Sequence, residues 1–236
     1  MKSLPILLAA ALLAISTVPQ NAVAGCKDHP EAGVDWSGCF KARLILEEEN
    51  LVGANLSQAN LDNTSLIGSN LTGADMSEGH FDKARFNGAL LIGANMTKAA
   101  FGRADLTGAD LTGALMEKAE LPRANLTDAM LAGATLEKAE LGRAIFRNAD
   151  LTGANLRYSY LARADLRGAD LVDADLTETE LYLADLRGAD LSAATGLVQQ
   201  QLEKTCGDET TKLPAGIEPG PDWPCATRED GDTEED

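Results

Sequence analysis

The sequence predicts a repeat solenoid in which four five-residue repeats make one coil, and two periodicities carry this prediction. From Leu46 to Leu191 every fifth residue is Leu, Met or Phe without a slip. A period of five matches neither the roughly 3.6 of an α-helix nor the roughly 2 of an isolated strand. Residues of the same type also recur every 20 positions, as in the glycine series Gly53, Gly73, Gly93, Gly113, Gly133 and Gly153. Four repeats therefore bring the chain back above itself.

The remaining positions of the repeat describe a narrow coil. Two residues before each apolar centre, from Ala54 to Ala189, the side chain is Ala, Ser, Thr or Gly. The residue just before the centre is usually Asp or Asn, which together with Gly tolerate unusual turn angles. We therefore expect the centre and the small residue to point inward, with identical positions stacked about 4.8 Å apart between coils.

Units such as Ala104-Asp105-Leu106-Thr107-Gly108 and Ala154-Asn155-Leu156-Arg157-Tyr158 resemble the pentapeptide-repeat family. The resemblance covers residues 46–191 in unbroken register. It implies an all-β fold, a right-handed quadrilateral parallel β-helix with one pentapeptide on each of four sides. Because a coil buries too little surface to fold alone, stacking between coils must stabilise it.

Residues 1–24 have the pattern of a signal peptide. A short positive start and an apolar run of about a dozen residues lead to Ala22-Val23-Ala24, an A-x-A cleavage site. The sequence thus predicts cleavage after Ala24 and a bacterial protein that is periplasmic or secreted. The alternative is a lipobox with Cys26 acylated, which would leave an odd number of cysteines for pairing.

Four cysteines remain in the exported chain, and they lie near its two ends. Four cysteines allow three pairings. Their clustering favours Cys26–Cys39 and Cys206–Cys225, and no His or Cys lies at zinc-ligand spacing beside them.

Both ends of the repeat array are predicted to be capped. Residues 25–45 form the N-terminal cap: Trp36 is in phase with the repeat, but Lys41 breaks the apolar series. Residues 192–225 form the C-terminal cap, a short helix over 195–203 ending near Gly207 and then a proline-containing irregular strap. Residues 226–236 are predicted to be an acidic disordered tail.

No arrangement of side chains predicts a catalytic, metal or cofactor site. The two histidines, His29 and His80, lie in the cap and at a repeat position, without a partner set for acid–base chemistry. Regularly recurring aspartates such as Asp105 are typical of turn hydrogen bonding. We therefore predict a non-enzymatic protein without a cofactor.

Charge offers a candidate surface. The chain carries a net charge of −17, and residues 46–191 contain 23 acidic and 13 basic side chains. Basic residues recur every 20 positions and should form a basic stripe: Lys83, Arg103, Arg123, Arg143 and Arg163. One interpretation of this stripe is a self-neutralising surface ladder, in which Glu117, Glu120, Glu137 and Glu140 balance its charge. The other interpretation is a docking face for an acidic partner.

The predicted function is an exported binding or scaffold module that presents flat charged faces to a protein or envelope component. The alternative follows from the resemblance: its best-understood relatives imitate B-form DNA and bind DNA gyrase, a cytoplasmic topoisomerase. Direct nucleic-acid binding and a transmembrane segment in the mature chain are not expected. The sequence does not predict the oligomeric state.

Overall fold

The computed structural model describes residues 25–225 as a four-sided coil. The predicted signal peptide (1–24) and acidic tail (226–236) lie outside the described residues. Parallel bridges run without interruption from Asp35↔Asn55 to Asp175↔Thr195, and each partner lies 20 residues further along the chain. Each side contributes a single bridge residue per coil, so the described chain has ladders of bridges and one short helix, the 3-10 turn Gln199–Leu202. The predicted coil of four repeats is confirmed.

One repeat, 104–108, illustrates how the backbone polar groups are satisfied. The Asp105 N–H donates to Ala84 O of the previous coil at 2.9 Å, and the Leu106 N–H to Asn125 O of the next at 2.7 Å. The Gly108 N–H also reaches the next coil, and the Ala104 N–H closes the preceding corner. The last donor, the Thr107 N–H, binds Oδ1 of Asp105 at 3.2 Å. This explains the preference for Asp or Asn before the centre, since its side chain accepts the one N–H that the ladders do not use.

The four sides are named here by their inward centre residues in the first coil. Side 1 begins with Trp36, side 2 with Lys41, side 3 with Leu46 and side 4 with Leu51. From Leu51 to Leu191 every centre is buried, and from Ala54 to Ala189 the small residue two positions before each centre is buried as well. On side 2, the rings of Phe81 and Phe101 stack with centroids 4.8 Å apart, which is the coil spacing.

Every corner is made by the fifth residue of a repeat in the left-handed conformation. From Gly33 to Gly188 each such residue has a positive φ, between +53° at Asn148 and +73° at Gly33. This conformation costs a non-glycine residue about 1–2 kcal/mol. Basic residues such as Arg123, with φ of +59°, occupy it nevertheless.

At the N-terminal end, pairing already begins at Asp35, inside the segment 25–45 predicted as a cap. Lys41 occupies the inward centre of side 2, and its Nζ lies 3.8 Å from the centroid of the Trp36 ring. Burial lowers the pKa of Lys41, while the charge of Asp28 opposes that shift. The stem of Lys41 therefore replaces an apolar centre, and Cys26–Cys39 ties the segment down with Cα atoms 5.4 Å apart.

At the C-terminal end, the predicted capping helix is reduced to the single turn Gln199–Leu202. The strap then rejoins the ladders through Asp185↔Cys206 and Asp190↔Lys212. Cys206–Cys225 closes it with Cα atoms 5.5 Å apart, so both disulfides have the predicted pairing. Between residues 25 and 225, no helix has the length and apolar character to cross a membrane.

Candidate binding surface

The five residues of the basic stripe lie in one column at the corner between sides 2 and 3, and all are exposed. The N–H of Arg103 donates to Pro122 O at 2.9 Å, that of Arg123 to Gly142 O at 3.0 Å. The same contact to the next coil recurs at every member. The ladder therefore holds the five basic residues on consecutive coils, about 4.8 Å apart.

Within residues 25–225 the stripe lacks the acidic partners that a self-neutralising ladder requires. No salt bridge of the described residues involves a member of the stripe. Glu117 and Glu137 bind Lys118 at 3.1 Å and Lys138 at 2.9 Å instead. Glu120 and Glu140 precede the stripe residues by three positions on side 2, and no ion pair within 25–225 joins them to it.

The neighbouring lysine column at the corner between sides 1 and 2 behaves differently. Lys98 Nζ lies 3.1 Å from Glu78 Oε1, and Lys118 and Lys138 pair with the glutamates that precede them. The hydrogen bond from Lys138 lowers the pKa of Glu137, and the same contact raises the pKa of Lys138. Basic residues in the same backbone conformation are thus neutralised one corner away.

On side 3, arginines bind aspartates of their own coil and of the next coil. Arg147 Nε lies 2.6 Å and Arg167 Nη2 2.8 Å from Oδ2 of Asp165. Burial raises the pKa of Asp165, but hydrogen bonds from Arg167 and Arg147 outweigh it and lower the pKa overall. The carboxylate next to Arg163 is therefore already bound by two other guanidinium groups.

Asp105, beside Arg103, is engaged in a similar way. Burial raises its pKa, but hydrogen bonds from Thr107 and Asn87 more than compensate and lower the pKa overall. Thr107 Oγ1 donates to Oδ1 of Asp105 at 2.6 Å. The two carboxylates that flank the stripe on side 3 thus serve the repeat structure.

The stripe and the adjoining part of side 3 form a positive region on an acidic protein. The residues concerned are the stripe and the outward positions just before and just after the side 3 centres Phe86, Leu106, Leu126, Phe146 and Leu166. Together they carry eight basic and two acidic side chains, in a chain of net charge −17. The acidic two are Asp105 and Asp165, and the basic ones beyond the stripe are Arg85, Arg147 and Arg167.

A shallow groove borders the stripe on side 2. Each of the four stripe arginines is preceded by a residue with a small side chain or none, so few side-chain atoms protrude from the surface there. These preceding residues are Gly102, Pro122, Gly142 and Ala162. A cavity of about 380 Å³ is lined by Asp82, Lys83, Gly102, Arg103, Pro122 and Arg123. The aliphatic stems of the basic residues are therefore accessible from this side.

A larger groove of about 640 Å³ lies at the C-terminal end, bordered by Glu178, Glu180, Tyr182, Gln201 and Glu203. In the described range, no group of three or more His, Cys, Asp or Glu side chains could hold a metal ion. The histidines, His29 and His80, are exposed and far apart in the coil order.

Comparison with known proteins gives a consistent family assignment. The family model described as pentapeptide repeats matches in eight copies over segments that span residues 50–192. No curated protein matches the chain.

Solved structures of similar proteins include HetL, a pentapeptide repeat protein involved in heterocyst differentiation regulation from the cyanobacterium Nostoc. It is 31% identical with a TM-score of 0.48, over 75% of this chain and 85% of that chain. QnrB1, a plasmid-mediated fluoroquinolone resistance protein, is 17% identical with a TM-score of 0.50, over 77% and 91%. A pentapeptide repeat protein of the Arabidopsis thaliana thylakoid lumen is 35% identical with a TM-score of 0.33, over 42% and 65%.

Proposed function

This chain belongs to the pentapeptide-repeat family, and from that premise we propose that it is an exported, non-enzymatic binding module for an acidic partner. The fold is the right-handed quadrilateral parallel β-helix of that family, a scaffold suited to binding. The partner, a protein or an envelope component, docks on the basic stripe and the adjoining part of side 3. One observation carries the proposal: the stripe has no ion pair within residues 25–225, whereas the adjacent lysine column is paired.

The argument is electrostatic. Like charges stacked about 4.8 Å apart repel each other by about 0.9 kcal/mol per pair in unscreened water. Neighbouring carboxylates relieve this repulsion in the lysine column but not in the stripe. An acidic partner would relieve it, and because the ladder already fixes the arginine backbone, docking would order little more than the side chains.

Export is supported by the cysteines and by the N-terminal sequence. Disulfides persist outside the reducing cytoplasm, and this chain forms Cys26–Cys39 and Cys206–Cys225. Cleavage after Ala24 would release a periplasmic or secreted protein. The disulfide partnership of Cys26 supports this form over acylation, which would consume the same thiol.

The test compares two matched triple variants. R103Q/R123Q/R143Q removes three charges from the stripe; K98Q/K118Q/K138Q removes three from the same coils, one corner away. All six positions have φ between +56° and +60°, and Gln58 shows that glutamine occurs in this conformation. Both variants should fold, and only the stripe variant should lose salt-dependent capture of poly-L-glutamate and of partners from the exported fraction. Equal capture by both would refute the proposed surface.

The alternative, an acidic DNA mimic that binds a topoisomerase such as DNA gyrase, requires a cytoplasmic protein with a continuous anionic face. The positive region interrupts such a face. Fractionation of the producing cell separates the two proposals, since recovery of the uncleaved chain in the cytoplasm would favour the alternative.

A further inference from the structure

We infer that the acidic C-terminal tail, residues 226–236, folds back onto the basic stripe and competes with the acidic partner. The inference rests on the proposed function of the stripe and adds its regulation. It follows from three features: the charge of the tail, the place where the described chain ends, and the length of the segment beyond it.

The charges are complementary. The tail carries one basic residue, Arg228, and six acidic ones: Glu229, Asp230, Asp232, Glu234, Glu235 and Asp236. The stripe carries five basic residues without an ion pair in the described chain, inside a region with eight basic and two acidic side chains. The tail therefore has the chemistry that the proposal requires of a partner.

The tail begins close to the C-terminal end of the stripe. Arg163, the last stripe residue, precedes Asp165 by two positions at the same corner. Asp165 pairs with Asp185, which pairs with Cys206, so two ladder steps connect this corner to Cys206. The disulfide holds Cys225 beside Cys206, with Cα atoms 5.5 Å apart.

The tail is long enough to follow the stripe. Two ladder steps amount to about 10 Å, and the four steps from Arg163 to Lys83 to about 19 Å. The segment 226–236 spans at most roughly 36–40 Å when extended. The acidic run begins at Glu229, four positions and at most about 14 Å after Cys225, which is comparable with the two ladder steps of about 10 Å between Cys206 and the corner of Arg163.

Tethering makes the tail an effective competitor. A short flexible connection gives an effective concentration in the millimolar range, so many weak contacts suffice to occupy the stripe. A partner with more acidic groups than the tail would displace it. Salt should weaken the binding of the tail and the binding of the partner together, because both depend on the charges of the stripe.

The binding experiment uses fluorescent poly-L-glutamate and three mature chains: the full chain, a chain ending at Ala226, and a full-length chain with the six tail acids changed to Asn or Gln. Both tail variants should bind more tightly than the full chain by about 5- to 150-fold. The gain should vanish when R103Q/R123Q/R143Q is added. Equal or weaker binding by both tail variants would overturn the inference.

A second experiment detects the contact without any ligand. Arg163→Lys and Arg143→Lys place an amine in the stripe, and carbodiimide joins it to a carboxylate in direct contact. Mass spectrometry should find an amide bond between the new lysine and residues 229–236 at low salt, and none between those residues and Lys98, Lys118 or Lys138, the amines one corner away. Such a cross-link with no poly-L-glutamate binding by any chain would support the tail contact and refute the proposed function. Absence of the cross-link would refute the tail contact while leaving the proposed function to its own test.

Discussion

Arg163 and Asp165 are two residues apart at one corner of the coil, yet they do not form an ion pair. Asp165 Oδ2 instead accepts hydrogen bonds from Arg147 Nε at 2.6 Å and Arg167 Nη2 at 2.8 Å. Arg163 has a φ of +61°, which turns the chain at the corner, whereas Asp165 lies in the ladder of side 3. Asp165 thus binds Arg147, 18 residues away on the previous coil, and Arg167 of its own side, in preference to Arg163 at the corner.

The buried column is the first subject for mutation. Leu126 and Ala124 are both fully buried. Leu126→Ala should cost about 2–5 kcal/mol by leaving a cavity, and Ala124→Leu about 1–3 kcal/mol by overpacking the coil. Thermal and denaturant unfolding check both values.

Glu120→Gln is the control for these two changes. It lies in the same coil on an exposed position without a salt bridge in the described chain, so its effect should stay within about 0.5 kcal/mol. If Ala124→Leu melted like this control, the inward placement of the small column would be contradicted.

The corners predict a purely conformational effect at Gly113. Its φ is +64°, and an added Cβ would meet no atom within 4 Å. Gly113→Ala should therefore lower the free energy of unfolding by about 1 kcal/mol with no steric contribution. Thr112→Ala, one residue earlier and exposed, is the control and should change it by less than about 0.5 kcal/mol. Equal stability of the two variants would show that the left-handed corner does not favour glycine over alanine.

The C-terminal disulfide should act locally. Replacing Cys206 and Cys225 by Ser removes a cross-link worth roughly 3 kcal/mol. Because coils contact only their neighbours, hydrogen exchange should accelerate at the amide of Leu186, which donates to Cys206 O at 2.7 Å. The amide of Leu126 in the middle coils serves as the internal control. Uniform acceleration along the chain would contradict local fraying.

The last ladder contact should make stability depend on pH. Hydrogen bonds from Lys212 and Ser192 lower the pKa of Asp190 from 3.8 to about 2. A carboxyl whose pKa is depressed in the folded state contributes stability above its unfolded pKa and loses it as the pH falls through the folded value. Asp190→Asn should therefore melt below the parent above about pH 4, and the two curves should converge near about pH 2.

Asp110→Asn is the matched control for this prediction. Asp110 lies in the same column and accepts the Thr112 N–H at 3.0 Å, but it forms no salt bridge in the part of the chain that the structure describes. The difference in melting temperature between Asp110→Asn and the parent should change less over the same pH range than that of Asp190→Asn. A constant difference for Asp190→Asn would contradict the assigned contact with Lys212.

Much of this fold follows from the sequence alone, for a physical reason. The narrow interior accepts only a small residue such as Ala124 and one larger apolar centre such as Leu126, so the period of five is visible residue by residue. The 20-residue series, such as Gly93 and Gly113, then sets the length of a coil. The disulfide pairing follows as well, because each pair of cysteines lies at its own end of a rigid array.

Only the tertiary structure decided the pairing of the surface charges. Sequence proximity suggested that Glu117, Glu120, Glu137 and Glu140 would neutralise the stripe. In the folded chain Glu117 and Glu137 instead bind Lys118 and Lys138, the lysines that directly follow them at the corner between sides 1 and 2. Contacts such as Arg147 with Asp165 cross from one coil to the next, and for that reason the lack of ion pairs to the stripe among residues 25–225 becomes visible only when the coils are stacked.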